Sequence, residues 1–221
     1  MYPHFRYELL AAFAHWTRRA VLVAVLTAII AACSPPAAAT TVAAPDFDSL
    51  VQQADYVVRG TVRAIDSAWV TDAGQRHIIT KVQVDVAEVI TGTPPQPLVL
   101  EMLGGRVGDD EMVVQGSPRF TVGGEYVLFI RGNGVQFNPL VALMHGQYPI
   151  KKDAAANTSY MARSDGTPLS DEHEVSLPLP APASTASARS TAAEARPLTP
   201  EEFSRRIRTS RQKSADSSHE K

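Results

Sequence analysis

Cysteine occurs once in the 221 residues, as Cys33. No intramolecular disulfide can form, so stability has to come from a hydrophobic core. Metal-ligand spacing is also missing. His77, His145, His173 and His219 form no His-x-x-x-His pair, and Asp109-Asp110-Glu111 lacks the regular ligand spacing of a calcium loop. The glycine-rich stretch Gly104-Gly105-Arg106-Val107-Gly108 lacks the Lys-Ser/Thr ending of a phosphate loop, and Ser117 lies in Gly-Ser-Pro-Arg rather than a Gly-x-Ser-x-Gly elbow. No catalytic constellation, metal site or cofactor motif is therefore legible. The expectation is a protein that is not an enzyme.

Charge is unevenly placed. Residues 33–188 hold ten Lys/Arg against seventeen Asp/Glu, while residues 189–221 hold eight Lys/Arg against five acids. An acidic body repels phosphate backbones, which argues against a nucleic-acid partner.

The basic pair Arg18-Arg19 precedes an uncharged apolar run, residues 20–32, that is thirteen residues long. A membrane-spanning helix needs about twenty residues. Positive charge, a short apolar run and then small residues make a secretory signal, expected over residues 1–32. The run ends Ile30-Ala31-Ala32-Cys33. That ending resembles the lipobox of bacterial lipoproteins, in which small residues admit the peptidase and the thiol accepts the lipid. The resemblance implies lipidation at Cys33 and a membrane anchor. Ser34, in place of an aspartate, implies an outer-membrane address facing the periplasm. The alternatives are an ordinary cleaved signal, with Ala37-Ala38-Ala39 as the cleavage site and a secreted or periplasmic product, or a twin-arginine signal around Arg18-Arg19.

Residues 33–45 are rich in Pro, Ala and Thr and read as a flexible tether. Phe47, Leu50, Val51 and Ala54 share one face of a short helix. From Tyr56 onward the period becomes two. Tyr56, Val58, Gly60 and Val62 alternate with polar neighbours, as do Ile78, Thr80, Val82, Val84 and Val86. Leu98, Leu100 and Met102 make a third strand face, and Met112 to Val114 a short strand. Tyr126 to Ile130 is apolar throughout, the mark of burial on both faces. Gly132-Asn133-Gly134 reads as a hairpin turn, with strands to follow at Val135–Phe137, Val141–Met144 and Tyr148–Ile150. Strands at turn-separated intervals, with no helices between them, predict a mainly β fold: a small antiparallel, OB-like barrel over residues 46–165.

Three segments carry a resemblance. These are Ala54-Asp55-Tyr56-Val57-Val58-Arg59-Gly60-Thr61-Val62, the stretch from Val84 to Gly92, and Val122-Gly123-Gly124-Glu125-Tyr126-Val127-Leu128-Phe129. They are similar to exported bacterial β-barrel proteins and, among named families, to netrin-like and tissue-inhibitor-of-metalloproteinase-like OB barrels. The matched features are turns and core positions across residues 46–165. Those inhibitors chelate metal through a free N-terminal cysteine held by disulfides, which Cys33 alone cannot reproduce. What the resemblance implies is the barrel, with an exported peptidase as a candidate partner.

Residues 166–197 read as a disordered linker and 214–221 as a disordered tail. Between them, residues 198–213 read as a short basic helix. Thr199 and Glu202 are spaced as a capping box, Pro200 suits the first turn, and Leu198 with Phe203 form a hydrophobic staple. Phe203 and Ile207 share one face, and Arg205, Arg206 and Arg208 are candidate partner-binding residues. The helix is read as short and solvated, with docking onto the acidic body or onto an anionic polymer as the alternative. Asp171-Glu172-His173-Glu174 reads as a solvated acidic loop. The functional expectation is a non-catalytic cell-envelope lipoprotein that acts as a binding or accessory module. A secreted hydrolase with a site near His145 and Asp109–Glu111, or a ligand-free structural component, are the alternatives.

Overall fold

Asp46 starts the fold. Its carboxylate accepts a hydrogen bond from the Ser49 amide at 2.7 Å, capping helix α1 (Phe47–Gln53), and this bond holds the Asp46 carboxyl below its ordinary range. The computed structural model describes residues 43–72, 74–153, 156–179 and 196–219, all within one compact unit. The expected signal segment and most of the expected tether lie outside the described residues.

After α1 come β1 (Tyr56–Asp72) and β2 (Gln75–Thr91), a long antiparallel hairpin. Then follow β3 (Leu98–Leu103), the small hairpin β4 (Gly105–Val107) and β5 (Asp110–Met112), β6 (Glu125–Ile130), β7 (Gln147–Asp153) and β8 (Thr158–Met161). Helix α2 (Pro200–His219) ends the described chain. Six strands form one antiparallel sheet in the order β3-β2-β1-β6-β7-β8, with β4–β5 as a separate pair. Irregularities in β1 between Val57 and Ala64 bend the strand. At Gly60 a Cβ would come within 2.7 Å of the Asp85 carbonyl, so the close approach there requires glycine.

Both faces of the sheet are buried. One face gathers Val58, Val62, Val82, Leu98, Leu100, Leu128, Ile130 and Leu140. The other packs Val57, Val127, Phe129, Tyr148 and Met161 against α1 and α2. That explains why Val57 and Val58, neighbours on opposite faces, are both fully buried. The alternation reappears further along β1, where the hairpin outruns the core.

Several expectations change. The sheet does not close into an OB-like barrel, since β3 and β8 stand at its two edges. The edge of β3 that faces away from β2 is taken by the loop between Arg131 and Pro139. The Asn133 side chain donates to the Val99 carbonyl at 2.7 Å and accepts from the Glu101 amide at 3.2 Å, and the Leu103 amide donates to the Phe137 carbonyl at 2.7 Å. With those groups satisfied, no closing strand is needed. The segments 135–137 and 141–144 are not strands. The first is loop, and the second runs through Ala142 and Leu143, both at positive φ, into a 3-10 turn, Leu143–Gly146.

Residues 166–179, expected in the linker, are built into the domain. Ala162 bridges to Pro168, Leu169 and Val175 are buried, and Glu172–Ser176 forms a 3-10 turn. Residues 180–195 lie outside the described residues. The tail helix is longer than the expected 198–213 and is packed rather than solvated, because the sheet offers its two apolar anchors, Phe203 and Ile207, a complete seat.

Candidate functional site

The seat of α2 contains the basic residues singled out from the sequence. Phe203 is fully buried against Phe47, Phe129 and Tyr148, with ring centroids at 5.8, 6.1 and 5.2 Å. Around this apolar centre the charges are paired. Arg206 reaches Glu172 at 3.3 Å and Asp171 at 3.7 Å, Arg208 reaches Glu88, and Arg211 donates to the Ala54 carbonyl at 2.6 Å. Arg59 of β1 joins Glu125 of β6 at 2.7 Å to Glu201 of α2 at 2.8 Å, which holds the Glu201 carboxyl below its usual range. Arg206 and Arg208 are thus engaged by the domain's own carboxylates. Arg205 is exposed and, among the described residues, makes no ion pair. Cys33 lies outside the described residues.

The other residues weighed from the sequence are dispersed. His145 is buried in the 3-10 turn before β7. Burial holds its pKa below the ordinary histidine value, Arg163 adds to this, and Asp165 opposes it. Asp110 and Glu111 belong to β5, where Glu111 pairs with Arg106 at 3.2 Å. Asp171 caps the second 3-10 turn by accepting from the His173 amide at 2.9 Å, and Glu174 accepts from the Ser170 amide at 2.8 Å. The acidic stretch is therefore a structured turn, partly spent on Arg206. Ser117 accepts from the Asn138 amide group at 3.5 Å. Among the described residues, no three His, Cys, Asp or Glu side chains are grouped to hold a metal ion, and no helix is long and apolar enough to cross a membrane. An open groove of about 320 Å³, between Thr121–Tyr126 and Pro149–Lys151, takes in neither His145 nor the Asp109–Glu111 loop.

The feature that pattern reading missed is the loop 132–138. Its ends are pinned by the Arg131 amide donating to the Pro139 carbonyl at 2.8 Å. Inside, the Val135 and Gln136 amides donate to the Gly132 carbonyl at 3.0 and 2.9 Å. Gly132 and Gly134, at φ 62° and 78°, make the tight path available. Braced in this way, the loop presents Val135 at 89% and Phe137 at 58% exposure. The signal in the sequence was two apolar residues among Gly, Asn and Gln, which also fits a strand. No family model matches this chain, and no curated protein is significantly similar to it.

Proposed function

We propose that the chain is an exported lipoprotein of the cell envelope, anchored through Cys33, whose β domain serves as a non-catalytic binding or accessory module. The observation that carries this reading is the position of the sole cysteine. It directly follows an uncharged run of thirteen residues and precedes the first described residue, Ala43, by a short spacer rich in Ala, Thr and Pro. Several acyl chains at that point give stable attachment, where one chain gives marginal binding. The packed domain supports a binding role by presenting apolar side chains on a braced loop, a geometry with low ordering cost on association. The partner class we favour is an exported protein, such as a peptidase.

Metabolic labelling with an alkyne fatty acid, comparing the natural chain with Cys33→Ala and fractionating the envelope, tests the anchor. Label lost in the variant, with the variant released from the membrane fraction, is the expected result. Equal absence of label from both chains would overturn the anchor and leave a secreted protein.

A further inference from the structure

The loop 132–138 belongs to an unusual stretch of charge. From Met112 to Lys152 the chain has one carboxylate, Glu125, and Arg59 engages it. Of the cations in the same stretch, Arg131 adjoins the loop, while Lys151 and Lys152 stand on β7 beside β8. This stretch also carries the four barest large apolar side chains among the described residues: Val135 at 89%, Val113 at 69%, Val122 at 59% and Phe137 at 58%. Three of these lie on adjoining segments. The Phe137 carbonyl is bonded to Leu103, the next residue, Gly104, abuts Met112 and Val114, and Asn138 reaches Ser117. The nearest acid in sequence, Glu111, is paired with Arg106 at 3.2 Å, and Asp109 and Asp110 stand at the turn end of the β4–β5 hairpin, away from its Gly105–Met112 base.

The same loop is rooted where the chain enters the domain. The Asp55 amide donates to the Ile130 carbonyl at 2.8 Å, and the Gly132 amide donates to the Asp55 carboxylate at 2.8 Å. Only α1, seven residues long, separates that root from the segment leading back to Cys33. Residues 34–42, fully extended, span about 30 Å at most. A bilayer holding Cys33 is therefore within reach of the loop, on the side where the tether arrives.

We infer that the loop 132–138, with Val113 beside it, is the domain's membrane-facing contact, and that Val135 and Phe137 enter the headgroup region of the bilayer that holds the anchor. The inference rests on the lipid-anchored reading above. A second copy of the chain is a poorer occupant. The three side chains offer on the order of 300 Å², against about 800 Å² per partner in a standard protein interface. A bilayer demands less, because the anchor already holds the domain at high effective concentration. Apolar tips on a braced loop suit the interfacial zone of a bilayer, where side chains of this size leave water without needing a packed protein partner. The contact would fix the orientation of the domain on the membrane.

The test uses the full lipidated chain in phosphatidylglycerol/phosphatidylethanolamine vesicles carrying brominated acyl chains. Phe137→Trp is compared with Thr158→Trp, an exposed position on β8 at the opposite edge of the sheet, with the unsubstituted chain as the fluorescence baseline. Several-fold stronger quenching at 137 than at 158 is expected. Acylation is read in parallel from the mass of the N-terminal peptide, so the two readings fail separately. An unacylated chain overturns the anchor. An acylated, co-floating chain with equal quenching at both positions overturns the membrane-facing loop. A dimer that is lost on Phe137→Ser would also overturn it, by assigning the loop to a second copy.

Discussion

Removing the Phe203 ring should cost most of what keeps α2 on the sheet. The side chain is fully buried and touches three other rings. Phe→Ala at such a site costs about 3–5 kcal/mol, through lost transfer free energy and the cavity left behind. The other apolar anchors of the segment are Leu198 and Ile207. Further along, the helix rests on polar contacts, with Ser210 donating to Asp48 at 2.6 Å and Arg211 to the Ala54 carbonyl. Such contacts contribute about 1 kcal/mol each. A loss of about 3–5 kcal/mol is several times what any one of those contacts contributes, and in Phe203→Ala the helix should open at a lower free energy than the sheet. Hydrogen exchange reads this directly. The amides of α2 in the variant should exchange through local opening, while those of β1 and β6 should keep exchanging only with global unfolding. Ile207→Val, with an expected cost of about 0.5–1.5 kcal/mol, provides the graded comparison. Unchanged protection across α2 in Phe203→Ala, or a total loss below about 1 kcal/mol, would refute the packing argument.

Two further predictions follow from the charges. The folded state depresses the pKa of His145, so above the unfolded value of about 6.5 the residue is neutral in both states; as pH falls through that value, the unfolded chain takes up the proton first and stability declines. His145→Gln should flatten urea-derived stability between about pH 7 and 5, and an unaltered slope would show that His145 does not contribute. Arg206→Ala should cost roughly 0.2–1 kcal/mol at low salt, because its pairs with Asp171 and Glu172 are partly exposed, and the cost should shrink at 1 M salt. A loss that is the same at both salt concentrations would mean that the packing of the side-chain stem, and not its charge, is what matters.

The parts of this fold that the sequence announces are local. The capping box is an example: Glu202 donates its amide to Thr199 Oγ1 at 3.2 Å, and the Thr199 amide returns a bond to the Glu202 carboxylate at 2.9 Å. The apolar face of α1 and the doubly buried run of β6 were legible for the same reason, since spacing along a few residues determines them. The destination of α2 was not. Its seat is assembled from Phe47, Phe129 and Tyr148, far apart in the chain, and a helix with two strong anchors reads the same whether docked or free. The open sheet was hidden as well. Strand spacing counts strands, and it cannot register that an asparagine side chain will satisfy the backbone of Val99 and Glu101. Positive φ at Ala142 and Leu143 broke the strand expected there, in residue types that give no warning of it.

The bonds from Asn133 to β3 also bear on how copies of this protein coexist. An unpaired strand edge is a template on which a neighbour's strand can grow, and crowded molecules find such edges often. In β3 the Val99 carbonyl and the Glu101 amide are occupied by a side chain, and the Leu103 amide by a loop carbonyl. A side chain cannot be extended into a further strand, so the ladder ends there. Asn133 thus serves as a chain terminator for edge-to-edge polymerisation at β3.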